Sequence, residues 1–282
     1  MSDDPEIQPR RSLLRRLCVA AVRIVLLGYV TILIALVIME KRLVFVGAYM
    51  DIPPARSVDV DTVSYESADG TKLKGQLYDK PGSQHTVLFL HGNGITAARE
   101  TASILQIGDE LNATVLAAEY RGYDDLEGSP SEAGIIADAI AARDFLCEKQ
   151  GIAKGSLVLY GQSLGGGCAV AVAADGGAKL LVLDRTFDST VDVAAEMFWF
   201  VPIRLLMRNR FDSVARIQKY DGPLVQMHGD IDDVIPIKHG RRLHESAPSQ
   251  NKHWVQVEGM NHNDTCPDEA WQTFLTTIRE CL

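Results

Sequence analysis

Gly161-Gln162-Ser163-Leu164-Gly165 has a short apolar run, SLVLY, directly before it and a run of small residues, LGGGCAVAVAA, directly after its serine. A serine flanked by glycines at a strand-to-helix junction sits where a hydroxyl can be raised above a sheet as a nucleophile. The flanking glycines leave room for the tight turn. The helix that starts there aims its first N–H groups and positive dipole end at any oxyanion formed beside the serine. Serine is a poor nucleophile unaided, so a histidine base and an orienting carboxylate must exist elsewhere in the chain.

In the setting of this motif the chain order is serine, acid, histidine. His228, His239, His244, His253 and His262 follow Ser163. His262, in Glu258-Gly259-Met260-Asn261-His262-Asn263-Asp264, follows the last strand-like run, and such a loop can swing a ring over the sheet's edge. His239 and His244 fall in a helical stretch and read as surface. His253 starts a strand, and His228 ends one and reads as fixing the adjacent loop. The spacing therefore assigns His262 as the base. Asp232, in His228-Gly229-Asp230-Ile231-Asp232-Asp233, is the favoured acid, with Asp184 as the alternative. Asp230 and Asp233 are close enough to compete, and part of that acidic loop is turn chemistry. Two backbone donors complete the set: the N–H of Leu164, after the nucleophile, and the N–H of Asn93, from His91-Gly92-Asn93-Gly94 after TVLFL.

Short runs separated by helical patterns must position these groups. VDVDTVSYES alternates and reads as a strand, Asp69-Gly70 signals a hairpin, and LKGQLY returns. TVLFL, TVLAAEY, SLVLY, KLLVLD, PLVQMHG and HWVQVEG follow, mostly near-continuous in apolar residues, as in strands buried on both faces. Helical patterns cover residues 97–111, 131–150 behind a Ser131 cap, 163–175, 238–247 and 267–281. The expectation is an α/β fold: a mostly parallel eight-stranded sheet with helices on both faces.

Hydrophobic residues make up 46% and charged residues 23% of the chain, which excludes a mainly disordered protein. Five cysteines in 282 residues do not make a disulfide scaffold, and no C-x-x-C pair suggests a metal module. The net charge of −9 argues against a nucleic-acid partner. Charge is uneven: residues 1–42 carry a net of +3 and the remainder −12. Residues 24–39, IVLLGYVTILIALVIM, hold no charge, and extension back to Leu17 adds only Arg23. That length suffices to cross a hydrocarbon core of about 30 Å. The run is long and is followed by Glu40-Lys41-Arg42, which favours an uncleaved anchor over a cleaved signal peptide. The expected organisation is a basic cytoplasmic tail (1–16), a transmembrane anchor (17–39) and a body (43–282). Arg10, Arg11, Arg15 and Arg16 before the span outnumber Lys41 and Arg42 after it, which puts the N-terminus in the cytoplasm and the body outside.

Together these residues resemble the α/β-hydrolase superfamily, and within it the membrane-anchored, serine-aminopeptidase-like branch. The resemblance runs from Arg42 onward and is carried by EKRLVF, HGNG, EYRGYDDLEGSPSEAGIIADAIAARDFL, GQSLGGG, FDSVARI, HGDIDDVIPIKHG and GMNHND. It implies hydrolysis of esters, thioesters or amides without metal or organic cofactor. Ser163, Asp232 and His262 match the family triad, and Asn93 and Leu164 its oxyanion donors. Two departures stand out: Asp124-Asp125-Leu126-Glu127 where Gly and Ser are usual after Arg-Gly-Tyr, and Arg185-Thr186 in place of a Ser-Pro pair. The resemblance also implies a cap, at about residues 186–220, whose apolar stretch Met197–Met207 could line an acyl pocket or rest near a bilayer beside Arg204, Arg208 and Arg210. The expected function is a membrane-anchored serine hydrolase acting on a small-molecule acyl ester or thioester. A serine peptidase is the runner-up, and a catalytically silent anchored scaffold is the non-enzymatic alternative.

Overall fold

The computed structural model describes residues 10–53 and 60–282. The first nine residues of the expected tail, and Val58 and Asp59 of the expected first strand, lie outside the described residues. The chain divides into two compact units, Met1–Glu40 and Lys41–Leu282.

Helix α1 runs Arg10–Val44, longer at both ends than the apolar segment itself. Arginine and lysine are good helix formers, so a change in hydropathy does not end the helix. Its Leu13–Val44 stretch is long and apolar enough to cross a membrane, by length and composition. The Thr31 hydroxyl inside this stretch donates to the carbonyl of Leu27 at 2.8 Å, as a hydroxyl among apolar neighbours requires.

In the second unit the strands are β1 (Asp61–Glu66), β2 (Lys72–Tyr78), β3 (His85–Leu90), β4 (Ala113–Ala118), β5 (Val158–Gln162), β6 (Leu180–Asp184), β7 (Leu224–Gly229) and β8 (Lys252–Val257). They form one sheet in the order β1-β2-β4-β3-β5-β6-β7-β8. β2 is antiparallel to both of its neighbours, and the other pairs are parallel. The eight-stranded, mostly parallel α/β-hydrolase fold expected from the sequence is thus observed. The helices are α2 (Thr101–Glu110), α3 (Glu132–Gln150), α4 (Leu164–Gly176), α5 (Thr190–Met197), α6 (Ile203–Leu206), α7 (Ser213–Ile217), α8 (Ile237–Ser246) and α9 (Asp268–Cys281). The first turn of the expected 97–111 helix is a 3-10 turn, Ala97–Glu100.

Alternate residues of the apolar strands feed two cores. Val87, Phe89, Val115 and Val182 pack with α2 and α9 through Ile104, Ile107, Phe274 and Ile278. Leu88, Leu90, Leu116 and Leu183 pack with α3 and α4 through Ile135, Leu146, Cys168 and Val172. Burial on both faces explains why these strands show no polar alternation. Ser131 caps α3 as expected, its hydroxyl accepting from the Gly134 amide at 3.1 Å, and Gly151 ends that helix at φ 64°.

Sheet order carries the function. From β3 the chain steps to β4 on one side, then returns to β5 on the other. The carboxyl ends of β3 and β5 are therefore adjacent at a switch in winding direction, where open α/β sheets form their crevice. HGNG leaves β3 there, and Ser163 leaves β5.

Candidate active site

Ser163 sits at φ 50°, ψ −115°, between β5 and α4. A non-glycine residue in that region costs about 1–3 kcal/mol and persists where its surroundings over-determine it. Its N–H donates to the Asp184 carbonyl at 2.9 Å, and its carbonyl accepts from the Gly166 amide at 3.0 Å and the Thr186 hydroxyl at 2.8 Å. Gly165 makes the turn possible, because a Cβ there would lie 2.0 Å from the Leu90 carbonyl oxygen. α4 can thus start hard against the end of β3, and Leu164 occupies its first position.

The structure brings Ser163, His262 and Asp232 into one hydrogen-bonded chain. The Ser163 Oγ lies 3.1 Å from His262 Nε2, and His262 Nδ1 lies 2.8 Å from Asp232 Oδ2. With the Nδ1 proton donated to the carboxylate, Nε2 is left to accept from the serine hydroxyl. Asp232 Oδ1 accepts the amides of Val234 at 3.0 Å and Ile235 at 2.7 Å, and His228 Nε2 stands 3.3 Å from Oδ2. Burial alone would push the Asp232 pKa up. The hydrogen bonds from His228, His262 and Ile235 outweigh it and hold the carboxyl well below the usual range. His228 also lies 2.8 Å from the Ile235 carbonyl, so it does fasten the acid's loop.

None of the competing acids reaches His262 Nδ1. Asp230 accepts the Gly259 amide at 2.7 Å, and Asp233 is exposed. Asp184 is engaged by the guanidinium of Arg185, at 2.9 Å to Nε and 3.0 Å to Nη2.

Asn93 lies beside this chain, since a Cβ on the preceding Gly92 would stand 3.6 Å from Ser163 Cβ. Sequence reasoning assigned its backbone N–H but missed its side chain. Asn93 Oδ1 accepts from the Tyr123 hydroxyl at 2.7 Å and the Gly47 amide at 3.4 Å, and Nδ2 donates to the Val44 carbonyl at 2.8 Å. A Cβ on Gly47 would fall 1.8 Å from the Asn93 carbonyl oxygen, so glycine is needed there. Val44, the last residue of α1, and Gly47 just beyond it thereby brace the HGNG loop.

The same loop is held from beneath. His91 is fully buried, with Nδ1 2.8 Å from the Gly92 carbonyl and Nε2 2.8 Å from Glu119 Oε1. Both ring nitrogens face acceptors, so the ring satisfies both only as the imidazolium. Burial alone would lower its pKa; Glu119, the Gly92 carbonyl and the more distant Glu100 hold it above the ordinary value. Stabilisation from such a raised group is complete below the unfolded-state pKa of about 6.5 and is lost as pH rises through the folded-state value. Glu119→Gln should destabilise the protein by about 3–5 kcal/mol near neutral or acidic pH. The gap to wild type should narrow as pH is raised. Urea unfolding at about pH 6 and about pH 9 checks this, and an equal gap at both would contradict it.

Asp124 and Asp125, in the turn after Arg121-Gly122-Tyr123, adopt φ of 45° and 61°. That backbone suits glycine; here Asp124 is anchored by Lys74 at 2.7 Å. The segment expected to form a cap, about residues 186–220, folds as α5, α6 and α7. His239, expected at the surface, is buried: Nδ1 lies 2.9 Å from Asp188 and Nε2 3.2 Å from Glu196 on α5. Helical periodicity misplaced it because Asp188 and α5 lie against this face of α8. A cavity of about 430 Å³ between these elements is lined by charges that pair with one another: Asp192 with Arg204, Asp188 and Asp192 with Arg242, and Glu196 with Lys238. Among the described residues no group of three His, Cys, Asp or Glu side chains is placed to hold a metal ion.

A scan against protein-family profiles found no match. An uncharacterized protein of Mycobacterium tuberculosis (strain CDC 1551 / Oshkosh) is 32% identical over 251 residues, covering 87% of each chain. Alpha/beta hydrolase domain-containing protein 17C of Xenopus tropicalis is 32% identical over 203 residues, covering 72% of this chain and 63% of that one. Among solved structures, a Pyrococcus furiosus esterase superposes with a TM-score of 0.65 at 18% identity, covering 82% of this chain and 96% of the esterase. The fold so defined, with a strained serine between β5 and α4, is that of a hydrolase. The chain belongs to the α/β-hydrolase superfamily.

Proposed function

We propose that this protein is a membrane-anchored serine hydrolase that cleaves an acyl ester or thioester. The observation that carries the reading is the continuous chain from Ser163 Oγ through His262 to Asp232, at 3.1 and 2.8 Å. In the proposed mechanism His262 Nε2 takes the serine proton as Oγ attacks the acyl carbon. Asp232 holds the ring's tautomer and stabilises the imidazolium. The amides of Asn93 and Leu164 receive the oxyanion; among the described residues neither donates another hydrogen bond. His262 then protonates the leaving alkoxide or thiolate, and the acyl group remains on Ser163. Water, deprotonated by His262, attacks that ester, and its collapse releases the acid and restores the hydroxyl.

The cap favours acyl substrates over charged peptides. Trp199 and Leu205 are 83% and 85% exposed, and Met197, Phe198 and Phe200 beside them are also solvent-facing. Arg204, Arg208 and Arg210 adjoin this surface, a composition suited to an anionic lipid face. The apolar stretch of α1 supports anchoring, and the arginine excess ahead of residues 17–39 supports a cytoplasmic N-terminus with the body outside.

The test is a substrate panel run on the full chain in lipid nanodiscs. Nitrophenyl esters of graded acyl length and acyl thioesters should be turned over about 10²-fold more efficiently, by kcat/KM, than aminoacyl anilides. Preference for anilides would favour the serine-aminopeptidase-like alternative. In cells, the protein should stay with membranes through an alkaline wash, and its release would contradict the anchor.

A further inference from the structure

Arg185-Thr186, directly after β6, stands between the two halves of the site. β6 pairs with β5 so that Asp184 lies opposite Gln162, which puts residues 184–186 beside the serine turn. Thr186 and the Asp184 carbonyl hold both backbone ends of Ser163, as described above. Arg185 reaches the other way. Its Nη1 donates to the carbonyls of His262 at 2.8 Å and Asp264 at 2.9 Å. Nε and Nη2 meanwhile grip the Asp184 carboxylate, which compensates the buried charge. Four of the five guanidinium donors are used in one plane, a pattern that an ammonium cannot reproduce. Arg185 is 7% exposed and adopts φ 47°, a left-handed backbone that directs its side chain toward the His262 loop while its own N–H donates to the Met227 carbonyl at 3.0 Å.

We propose that Arg185 is a positioning residue for the reaction: it fixes the backbone of His262 relative to Ser163 and so sets the spacing across which the serine proton moves. One dipeptide then locates the nucleophile through Thr186 and the base through Arg185. This inference rests on the Ser163–His262–Asp232 reading above and adds a residue that touches neither substrate nor reacting atoms.

Arg185→Lys keeps a positive charge beside Asp184 but loses the fork to His262 and Asp264. Measured on the full chain in nanodiscs, with active sites counted by fluorophosphonate titration, kcat per titrated site should fall about 10²-fold, the cost of a misplacement of about 1 Å. KM should stay within threefold of wild type, about the spread of an unchanged value. Thr186→Val, which loses the bond to the Ser163 carbonyl, should reduce kcat about tenfold with KM again unchanged. A folded Arg185→Lys protein with wild-type kcat would overturn the proposal, and so would a rise in KM alone, which would mean a binding role. Loss of folding in Arg185→Lys would also overturn it, by making the residue a support of the fold. If wild type itself takes up no label, the triad reading fails and the proposal falls with it. Wild-type labelling with an unaffected Lys variant defeats the proposal alone.

Discussion

Ser163→Ala should lower kcat by about 10⁶-fold while leaving the protein folded. The change removes the Oγ that lies 3.1 Å from His262 Nε2 and nothing else. The turn at φ 50°, ψ −115° is held by backbone bonds to Asp184 and Gly166 and by the Thr186 hydroxyl, all of which alanine retains. The unfolding midpoint should therefore stay close to wild type. Residual turnover, about 10³–10⁴-fold above the reaction in water, would come from the two amides and substrate binding. Single-turnover kinetics on an activated ester measures the loss, and a kcat within tenfold of wild type would exclude Ser163 as the nucleophile.

Asp232→Asn should cost about 10⁴-fold in kcat. Asparagine can keep an oxygen on the amides of Val234 and Ile235, but its NH2 then faces His262 Nδ1. The ring must accept there and carry its proton on Nε2, so it can no longer take one from Ser163. The same NH2 opposes His228 Nε2, 3.3 Å away in wild type, which adds a stability cost. Asp184→Asn should behave differently: it weakens the grip on the Arg185 guanidinium and leaves the His262 tautomer alone. Near-full turnover by Asp232→Asn, with loss in Asp184→Asn, would transfer the acid's role to Asp184.

Much of the frame was legible because its signals are local. Each strand is a short apolar run between turn residues, and the serine motif declares its own strand–turn–helix setting. Asp232 and His262 follow the last two strands, so chain order alone narrowed the choice. What stayed hidden depends on contacts between residues far apart in sequence. Arg185 reaches His262 and Asp264 across 77 and 79 positions, and Asn93 reaches Val44 across 49. No period or motif encodes such pairs, although an arginine directly after the aspartate that ends a buried strand was a visible oddity. Glu119, one residue past β4, was another, since a carboxylate at a core boundary needs a partner, here His91. His239 was misread because it is buried by Asp188 and by Glu196 of α5, a helix of eight residues about 40–50 positions earlier in the chain. Two turns of helix carry little periodic signal, and nothing in it points to a partner on α8.

Intact-mass analysis of the full chain after reaction with a fluorophosphonate, followed by peptide mapping, tests the central claim most directly. Catalysis by Ser163 predicts one adduct per chain, located on the peptide containing Gly161-Gln162-Ser163, and absent from Ser163→Ala. No adduct on folded wild-type protein, or an adduct that persists in Ser163→Ala, would contradict it and leave an anchored scaffold with the fold of a hydrolase.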